Sequence, residues 1–260
     1  MLASNRPADS ARTKRLAVAG ATGLIGSQVV AHAVALGHEV VSLSRSMGVD
    51  LTDRDSLGDR LEGVDVVIDV TRPSSMALEE AISFFTTVAK NLGRASAAAG
   101  VARMIVLSII GLEKNQDFDW YVATLAHERA AREHFANTQV LRSTQFHEFP
   151  EQVLGRGLRG DKAEVMDVQT QPVASREVAR LLVELAIGDQ TEDVEIAGPQ
   201  PEQLVNLVSE LTRLRGDEIE VVPVPVSVAM ASGSLLPGAE ALLRGETWLA
   251  WARRHYGREH

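Results

Sequence analysis

Three glycines follow one another at regular spacing near the start of the chain, at Gly20, Gly23 and Gly26. The first position permits a tight turn, the second lets the backbone approach a pyrophosphate, and the third lets the following helix pack against a sheet. Backbone N–H groups at the start of that helix then point at the phosphates. The spacing predicts a dinucleotide site formed by Gly20, Thr22, Gly23, Leu24, Ile25 and Gly26.

The residues that follow the second predicted strand indicate which dinucleotide is bound. NAD-selective sites usually place a carboxylate there to accept a hydrogen bond from the ribose 2′-hydroxyl. This chain has Ser44 and Arg45 instead, and a guanidinium can pair with a 2′-phosphate while a serine hydroxyl hydrogen-bonds to it. We therefore predict NADP(H) in preference to NAD(H). Four more residues are expected beside the cofactor, two flanking the adenine and two along the nicotinamide half: Asp50 and Leu51, and Thr71 and Arg72.

Two histidines stand where a proton donor or acceptor would be useful. His127 lies on a predicted helix, where an exposed polar position is the favoured interpretation and an acid–base role is the alternative. His147 follows the predicted strand 138–143, at the edge where substrates approach such sheets, and is predicted to line the pocket with Phe146 and Phe149 nearby. The remaining histidines show no grouping with carboxylates at ligand spacing, so no metal site is predicted.

The first half of the chain, which must position these groups, alternates apolar runs with helical patterns. Several runs are continuously apolar, which is typical of strands covered on both faces. Short strands that alternate with helices predict an α/β fold with a doubly wound parallel sheet. The predicted strands are 15–20, 39–45, 48–51, 64–70, 103–108 and 138–143, and the predicted helices are 24–37, 53–61, 76–99 (capped by Ser74 or Ser75) and 120–135.

After about residue 145 the pattern becomes less regular and predicts a small C-terminal α+β cap over the carboxyl edge of the sheet. Trp248 and Trp251 are interpreted as anchors that pack the last helix down. The division expected is a disordered lead-in over 1–13, a Rossmann-type core over 14–145 and a cap over 146–260. Within the cap, the predicted helices are 146–158, 175–187 and 201–214, and the strand-like stretches are 165–173, 193–198 and 218–225.

The composition narrows the class of partner. A formal net charge of −9 over 260 residues argues against nucleic acid, because phosphate neutralisation needs a basic face. No segment has the unbroken apolar length of a membrane span, and the polar, basic start of the chain is not predicted to be a secretory signal. The absence of cysteine excludes disulfides and thiolate nucleophiles and fits a reducing cytoplasm. We expect a cytoplasmic protein with a small-molecule ligand.

Several segments together form a pattern that is similar to a known family. They are AGATGLIG at 19–26, the arginine after the second strand, DVTRP at 69–73 and VLSIIG at 106–111, followed by LRSTQFHEF at 141–149, QPVASREVAR at 171–180, IAGPQP at 196–201 and LLPG at 235–238. They resemble the atypical short-chain dehydrogenases, and most of all the NmrA-like NAD(P)-binding group. The resemblance implies a Rossmann fold, a bound NAD(P) and chemistry on a small organic molecule.

The resemblance also implies where catalytic groups should lie. Family members that transfer hydride use a serine and a Y-x-x-x-K pair, in which the tyrosine moves the proton and the lysine lowers the tyrosine's pKa. Ser108 matches the serine, but Trp120 stands at the tyrosine and Thr124 at the lysine. Tyr121 is one position further, which turns a helical side chain by roughly 100°, and Leu125 stands four residues beyond it. The candidate acid–base groups are therefore Ser108, Tyr121, His127 and His147.

Three functions are consistent with this pattern. The first is an NADP(H)-dependent oxidoreductase with a degenerate Tyr/Lys pair. The second is a non-catalytic NADP(H) redox sensor that binds a protein partner. The third is a non-redox enzyme, of the dehydratase or cyclase type, that reuses the fold.

Overall fold

The computed structural model describes residues 13–257, and a seven-stranded parallel sheet lies at its centre. Its strands, with those of two smaller sheets, are β1 (Arg15–Ala19), β2 (Glu39–Leu43), β3 (Val66–Asp69), β4 (Arg103–Ile109), β5 (Thr138–Ser143), β6 (Leu158–Arg159), β7 (Lys162–Met166), β8 (Gln169–Thr170), β9 (Val194–Ala197), β10 (Glu202–Gln203), β11 (Glu220–Val224) and β12 (Leu242–Leu243). The order in the large sheet is β12-β9-β5-β4-β3-β1-β2. The predicted doubly wound parallel sheet is confirmed.

Helices cover both faces of the large sheet. They are α1 (Leu24–Ala35), α2 (Leu78–Ala98), α3 (Asp119–His134), α4 (Phe149–Gly157), α5 (Ser175–Ile187), α6 (Leu204–Arg215), α7 (Val228–Ala231) and α8 (Trp248–Tyr256). On one face α1 and α5 pack together through residues such as Val29 and Leu182. On the other face α2 and α3 pack together, with Leu92 and Ala131 in the shared core. β3 is buried along its whole length, as its continuous apolar run predicts.

Part of the second half forms a cap, in which β7 pairs with β11 and β6, whereas α5, β9 and β12 belong to the large sheet and its covering layer. On this small sheet pack α4 and α6, and α8 packs on α6. The cap core joins Trp248 and Leu211 to Leu112 and Tyr121, which come from the segment after β4 and from α3. The cap therefore lies at the carboxyl edge of the large sheet and shares a core with it. The predicted lead-in, apart from Thr13, lies outside the described residues.

Two short elements predicted after β2 are wrong. The predicted strand 48–51 is a turn, in which Gly48 has a left-handed φ of +75° and Val49 and Leu51 are buried as single side chains. The predicted helix 53–61 is only a 3₁₀ turn over Arg54–Ser56, after which the chain turns again at a positive φ. Both stretches contain apolar residues because they cover the core beside α2, and not because they continue a regular element.

Other predicted boundaries shift because of contacts that are distant in sequence. The predicted helix 146–158 begins only at Phe149, since Phe146 forms a β-bridge with Val173. The predicted helix 201–214 begins at Leu204, because the two residues before it pair with β8. The strand-like stretch 165–173 is divided between β7 and β8. The predicted cap of α2 is also wrong, since its N-cap is Ala77, although the Ser75 Oγ accepts a hydrogen bond from the Ala77 N–H just before the helix.

Candidate functional site

The turn between β1 and α1 has room for glycine alone at two positions. Gly20 has a φ of +81°, and a Cβ there would lie 2.8 Å from the carbonyl oxygen of Val70. A Cβ on Gly26 would lie 2.1 Å from the carbonyl oxygen of Gly20, well inside van der Waals contact. Gly23 is the N-cap of α1 and has no side chain to cap it. The turn thus brings an uncapped helix N-terminus to the carboxyl edge, where backbone N–H groups attract anions.

The other predicted residues of this turn differ in exposure. Thr22 and Leu24 are exposed on the edge, whereas Ile25 is buried in the core beneath α1. Ile25 therefore anchors the helix, while Thr22 and Leu24 are accessible to a ligand.

The segment after β2 carries the predicted phosphate contacts. Ser44 is buried and its Oγ lies 3.1 Å from the Oγ of Ser46, while Arg45 is exposed at the start of a 3₁₀ turn. The Asp50 carboxylate accepts hydrogen bonds from the N–H and the hydroxyl of Thr52. These bonds, and more weakly the charge of Arg45, hold the pKa of Asp50 below its ordinary value. Asp50 is therefore ionised at neutral pH.

Leu51, which was predicted beside the adenine, is buried against α2. Asn91 of α2 donates a hydrogen bond of 2.9 Å to its carbonyl oxygen. This contact fixes the turn that carries Asp50.

A buried acid–base pair joins the end of β3 to α3. The Asp69 Oδ1 accepts hydrogen bonds from the Thr71 N–H (2.9 Å) and hydroxyl (2.7 Å), and its Oδ2 lies 2.9 Å from the His127 Nε2. Asp69 is fully buried and His127 is 1% exposed, so the favoured prediction of an exposed His127 is wrong. The His127 ring stacks on Phe85 at 4.5 Å. Burial alone would raise the pKa of Asp69, but the charge and hydrogen bond of His127 and the bonds from Thr71 outweigh it and lower that pKa.

Sequence reasoning did not single out Asp69. The available signal was a carboxylate within the otherwise apolar run of β3, because an ionised group in such a strand needs a partner. By fixing Thr71, Asp69 determines how the chain leaves β3 and hence where Arg72 begins.

Ser108 lies at the same level of the edge as Thr71. β3 and β4 pair in register with Asp69 beside Val106, so Thr71 and Ser108 each follow that pair by two residues. The Ser108 Oγ is buried, and no residue between 13 and 257 hydrogen-bonds to it. An unpaired buried hydroxyl has its hydrogen-bonding capacity available for a ligand that reaches it.

The first turns of α3 have no Tyr/Lys pair. Trp120 packs on Phe85 with ring centroids 5.7 Å apart. The Thr124 hydroxyl is buried and donates a 2.7 Å hydrogen bond to the carbonyl oxygen of Trp120, within its own helix. Neither position therefore provides a phenol or a cation.

Tyr121 points into the cap core instead, where it lies edge-to-face with Phe118 at 6.4 Å. Burial raises the pKa of Tyr121 to about 12, although a hydrogen bond with Gln145 opposes that shift. Gln145 also accepts a hydrogen bond from the Thr170 hydroxyl. Tyr121 is thus a neutral phenol held between α3 and the cap.

His147 is buried beneath α8. Its Nε2 donates to the carbonyl oxygen of Pro172 (3.2 Å), and its ring lies 5.2 Å from that of Trp251. Burial lowers the pKa of His147 to about 4, so the ring is neutral near pH 7. Its Nδ1 is buried with no hydrogen-bond partner in the described part of the chain. The Trp248 indole N–H donates a 2.9 Å hydrogen bond to the His147 carbonyl oxygen, which confirms Trp248 as an anchor.

Most of the predicted site residues thus fall into two groups. One follows the carboxyl ends of the adjacent strands β2, β1, β3 and β4 and contains the glycine turn, Ser44, Arg45, Thr71, Arg72 and Ser108. The other lies where α3 and the cap meet, with Tyr121 and His147 in separate contacts. Phe146 and Phe149 contribute to different cores, so these two side chains do not form one wall with His147.

Across residues 13–257 no helix has the length and apolar character of a membrane span. The same residues contain no cluster of three or more histidine, aspartate or glutamate side chains placed to hold a metal ion.

Comparison with known proteins bears on the fold and on part of the sequence. A family model described as NAD(P)H-binding matches residues 46–149. The chain resembles the structure of a dTDP-4-dehydrorhamnose reductase from Clostridium acetobutylicum, with 16% identity, 82% of this chain and 84% of that chain covered, and a TM-score of 0.68. It also resembles a nucleoside-diphosphate-sugar epimerase from Staphylococcus aureus, with 15% identity, 93% and 100% covered, and a TM-score of 0.68.

A third similar structure is a dTDP-4-dehydrorhamnose reductase from Bacillus anthracis in complex with NADP, with 13% identity, 83% and 86% covered, and a TM-score of 0.66. No curated protein matches the chain. The chain therefore has the Rossmann-type fold of these reductases and epimerases, and residues 46–149 have the sequence pattern of NAD(P)H-binding proteins. The NmrA-like branch stays a prediction.

Proposed function

We propose that the protein binds NADP(H) along the carboxyl edge of the sheet and is an oxidoreductase for a small organic molecule. The observation that carries the proposal is the glycine turn. Without side chains at Gly20 and Gly26 the backbone segments lie in close contact, and Gly23 leaves the start of α1 without a side-chain cap. This is the arrangement that a pyrophosphate requires. Arg45 follows the neighbouring strand and no carboxylate stands beside it at Ser44 or Ser46, which favours a 2′-phosphate over a free ribose hydroxyl.

Bound NADPH supplies a hydride, and the chain must then stabilise and protonate the oxygen that receives the electrons. Ser108 has an unpaired hydroxyl at the level of Thr71 and is the proposed hydrogen-bond donor to that oxygen. The general acid is the weak component, because Trp120 and Thr124 offer no phenol or cation and Tyr121 has a pKa of about 12. General acid–base help is typically worth about a hundred- to ten-thousand-fold in rate. We therefore expect slow reduction of ordinary carbonyl compounds.

The lack of a phenol and a cation at Trp120 and Thr124 also supports a second candidate, a non-catalytic NADP(H) sensor. Thr124 turns its hydroxyl back onto its own helix, and Trp120 is packed against Phe85, so the two positions are used structurally. A sensor would need the cofactor edge and a protein partner but no proton donor. The two functions share the cofactor and differ in turnover.

The first experiment measures cofactor binding by calorimetric titration of NADPH. Gly26→Ala should weaken binding at least tenfold, because its Cβ would force the turn apart. Gly155→Ala is the matched control, since a Cβ there would meet nothing within 4 Å. Equal affinity for NADPH in both variants would contradict a dinucleotide site at this turn.

The second experiment separates enzyme from sensor by following NADPH consumption with a panel of small aldehydes, ketones and quinones. The oxidoreductase proposal expects measurable but slow turnover with at least one compound. Tight NADPH binding without any turnover across the panel would favour the sensor. Fast turnover that Tyr121→Phe abolishes would overturn the proposed weakness of the acid and identify Tyr121 as the proton donor.

A further inference from the structure

Arg72 lies at the carboxyl edge of the large sheet, and its guanidinium contacts one aromatic ring. Its guanidinium carbon lies 5.7 Å from the centroid of the Trp120 ring, a distance typical of a cation–π contact. No residue from 13 to 257 forms a hydrogen bond or ion pair with the guanidinium, which is exposed. The acidic residue nearest to Trp120 in sequence, Asp119, is also exposed and makes no ion pair with it.

Two other arginines near this edge lie close to carboxylates. Arg142 of β5 hydrogen-bonds to both Glu113 and Glu128. Arg45 lies close enough to Asp50 to contribute to its lowered pKa. Arg72 is therefore a cation without a carboxylate partner in the described chain, on a protein whose formal net charge is −9.

The strand order shows which side of the carboxyl edge the Arg72 guanidinium lies on. β3, which precedes Arg72, lies between β1 and β4, and Arg45 follows β2 on the far side of β1. Trp120 belongs to α3, which follows β4. The contact with Trp120 therefore draws the guanidinium away from Arg45 and towards the side where Ser108 and α3 lie.

We propose that the Arg72 guanidinium, held on the Trp120 indole, binds an oxyanion of the substrate, a carboxylate or a phosphate, beside the reacting group. This inference rests on the proposed function, since it assigns the substrate class of the same site. A guanidinium stacked on an aromatic ring is weakly hydrated and already oriented, so little freedom is lost when it forms a forked pair of hydrogen bonds. Trp120, which stands at the tyrosine position of the resembled family, then serves as the support for this cation.

The test measures binding, so that it stays informative if hydride transfer does not occur. Benzoate, phenyl phosphate and the uncharged benzamide are titrated calorimetrically into the protein saturated with NADP⁺. We expect one of the two anions to bind at least about tenfold more tightly than benzamide, as charge-assisted hydrogen bonds predict. Which anion it is identifies the substrate group. If NADP⁺ itself gives no binding, the proposed function fails, and the same titrations on the free protein still test Arg72.

Four variants distinguish the proposal from a general charge effect. Arg72→Gln should abolish the preference for the anion, and Arg72→Lys should retain part of it because the charge remains. Arg60→Gln removes the same charge from an exposed turn, for which no ion pair is found, and should leave the preference unchanged. Trp120→Leu should weaken anion binding because the guanidinium loses its support.

Three results would overturn the proposal. One is equal binding of the anions and benzamide, or no measurable binding of either anion. Another is an equal loss of anion preference in Arg72→Gln and Arg60→Gln, which would indicate only the overall charge. The third is a loss of NADP⁺ affinity in Arg72→Gln as large as its loss of anion affinity, which would assign the guanidinium to the cofactor.

Discussion

The glycine turn after β1 and the first turns of α3 lie at the same edge of the sheet but are built from different parts of the chain. At the glycine turn the backbone itself makes the site, and a Cβ at Gly26 would lie 2.1 Å from a carbonyl oxygen. At α3 the backbone is an ordinary helix, and the chemistry depends on which side chains stand at Trp120 and Thr124. A change at the first place disturbs the backbone of the turn, whereas a change at the second exchanges side chains on an intact helix. The proposed cofactor binding and the proposed catalysis can therefore be altered separately.

The largest effect expected follows from restoring the missing pair. The double variant Trp120→Tyr, Thr124→Lys supplies a phenol and a cation on one helical face, and should raise ketone reduction by NADPH about a hundred- to ten-thousand-fold. The Arg72 contact with the indole would be lost, so a neutral ketone is the suitable substrate. Trp120→Tyr alone is the control and should gain much less, because no lysine lowers the phenol's pKa.

Initial rates of NADPH consumption at saturating cofactor provide the measurement, with circular dichroism to verify folding. A folded double variant that binds NADPH and reduces ketones no faster than wild type would contradict the comparison. It would mean that the first turns of α3 do not face the nicotinamide.

The second-largest effect concerns the Asp69–His127 pair, which joins the end of β3 to α3. His127→Leu leaves one oxygen of the fully buried Asp69 carboxylate without its hydrogen-bond partner, and should lower the free energy of unfolding by about 1–3 kcal/mol or more at neutral pH. Asp69→Asn combined with His127→Leu should be less destabilised than His127→Leu alone, because no charge is then left unpaired. Urea denaturation of the wild type, the two single variants and the double variant measures the coupling. Strictly additive losses would show that the pair is not coupled.

The glycine turn and the surroundings of α3 also differ in how far the sequence could predict them. The glycine spacing predicts the turn because the backbone requirement is local, and the apolar runs predict the parallel sheet. The pairing of Asp69 with His127 could not be predicted, because the two residues are separated along the chain and meet only in the folded protein. The burial of Tyr121 has a similar cause, since the residues around it come from the cap. The errors after β2 arose where buried apolar residues fill gaps in the core without forming a regular element.

The third effect is a pH dependence of stability that arises from His147, beneath α8 of the cap. His147 has an ordinary pKa of about 6.5 in the unfolded chain and about 4 when buried, so between these values the unfolded chain binds a proton that the folded chain does not. Stability should be fully present above about pH 6.5 and fall by up to about 3 kcal/mol as the pH decreases towards 4. The charges that act on this ring are those of Glu246, Arg176 and Arg254.

Urea denaturation at several pH values in this window measures the slope for wild type and for His147→Gln, whose amide can still donate to Pro172. The slope should be shallower in the variant. An unchanged slope would show that other groups account for the acid sensitivity of the cap, and that His147 is not the buried neutral base described above.

The smallest effect expected returns to the cofactor end, where Arg45 should distinguish NADPH from NADH. Arg45→Glu replaces a charge-assisted contact with repulsion and should weaken NADPH by about tenfold to a hundredfold while changing NADH little. The lower end of this range is favoured because Arg45 is exposed and solvent and salt screen its charge. The ionised Asp50 carboxylate, whose pKa is lowered chiefly by its bonds to Thr52, also competes for the guanidinium.

Arg45→Lys, which keeps the charge but not the forked pair of donors, should lose less NADPH affinity. Calorimetric titration of both cofactors at two salt concentrations provides the measurement, with Arg60→Glu as the charge-matched control. If Arg45→Glu weakened both cofactors equally, the arginine would not bind the 2′-phosphate, and the selectivity of this edge would have to come from the serines beside it.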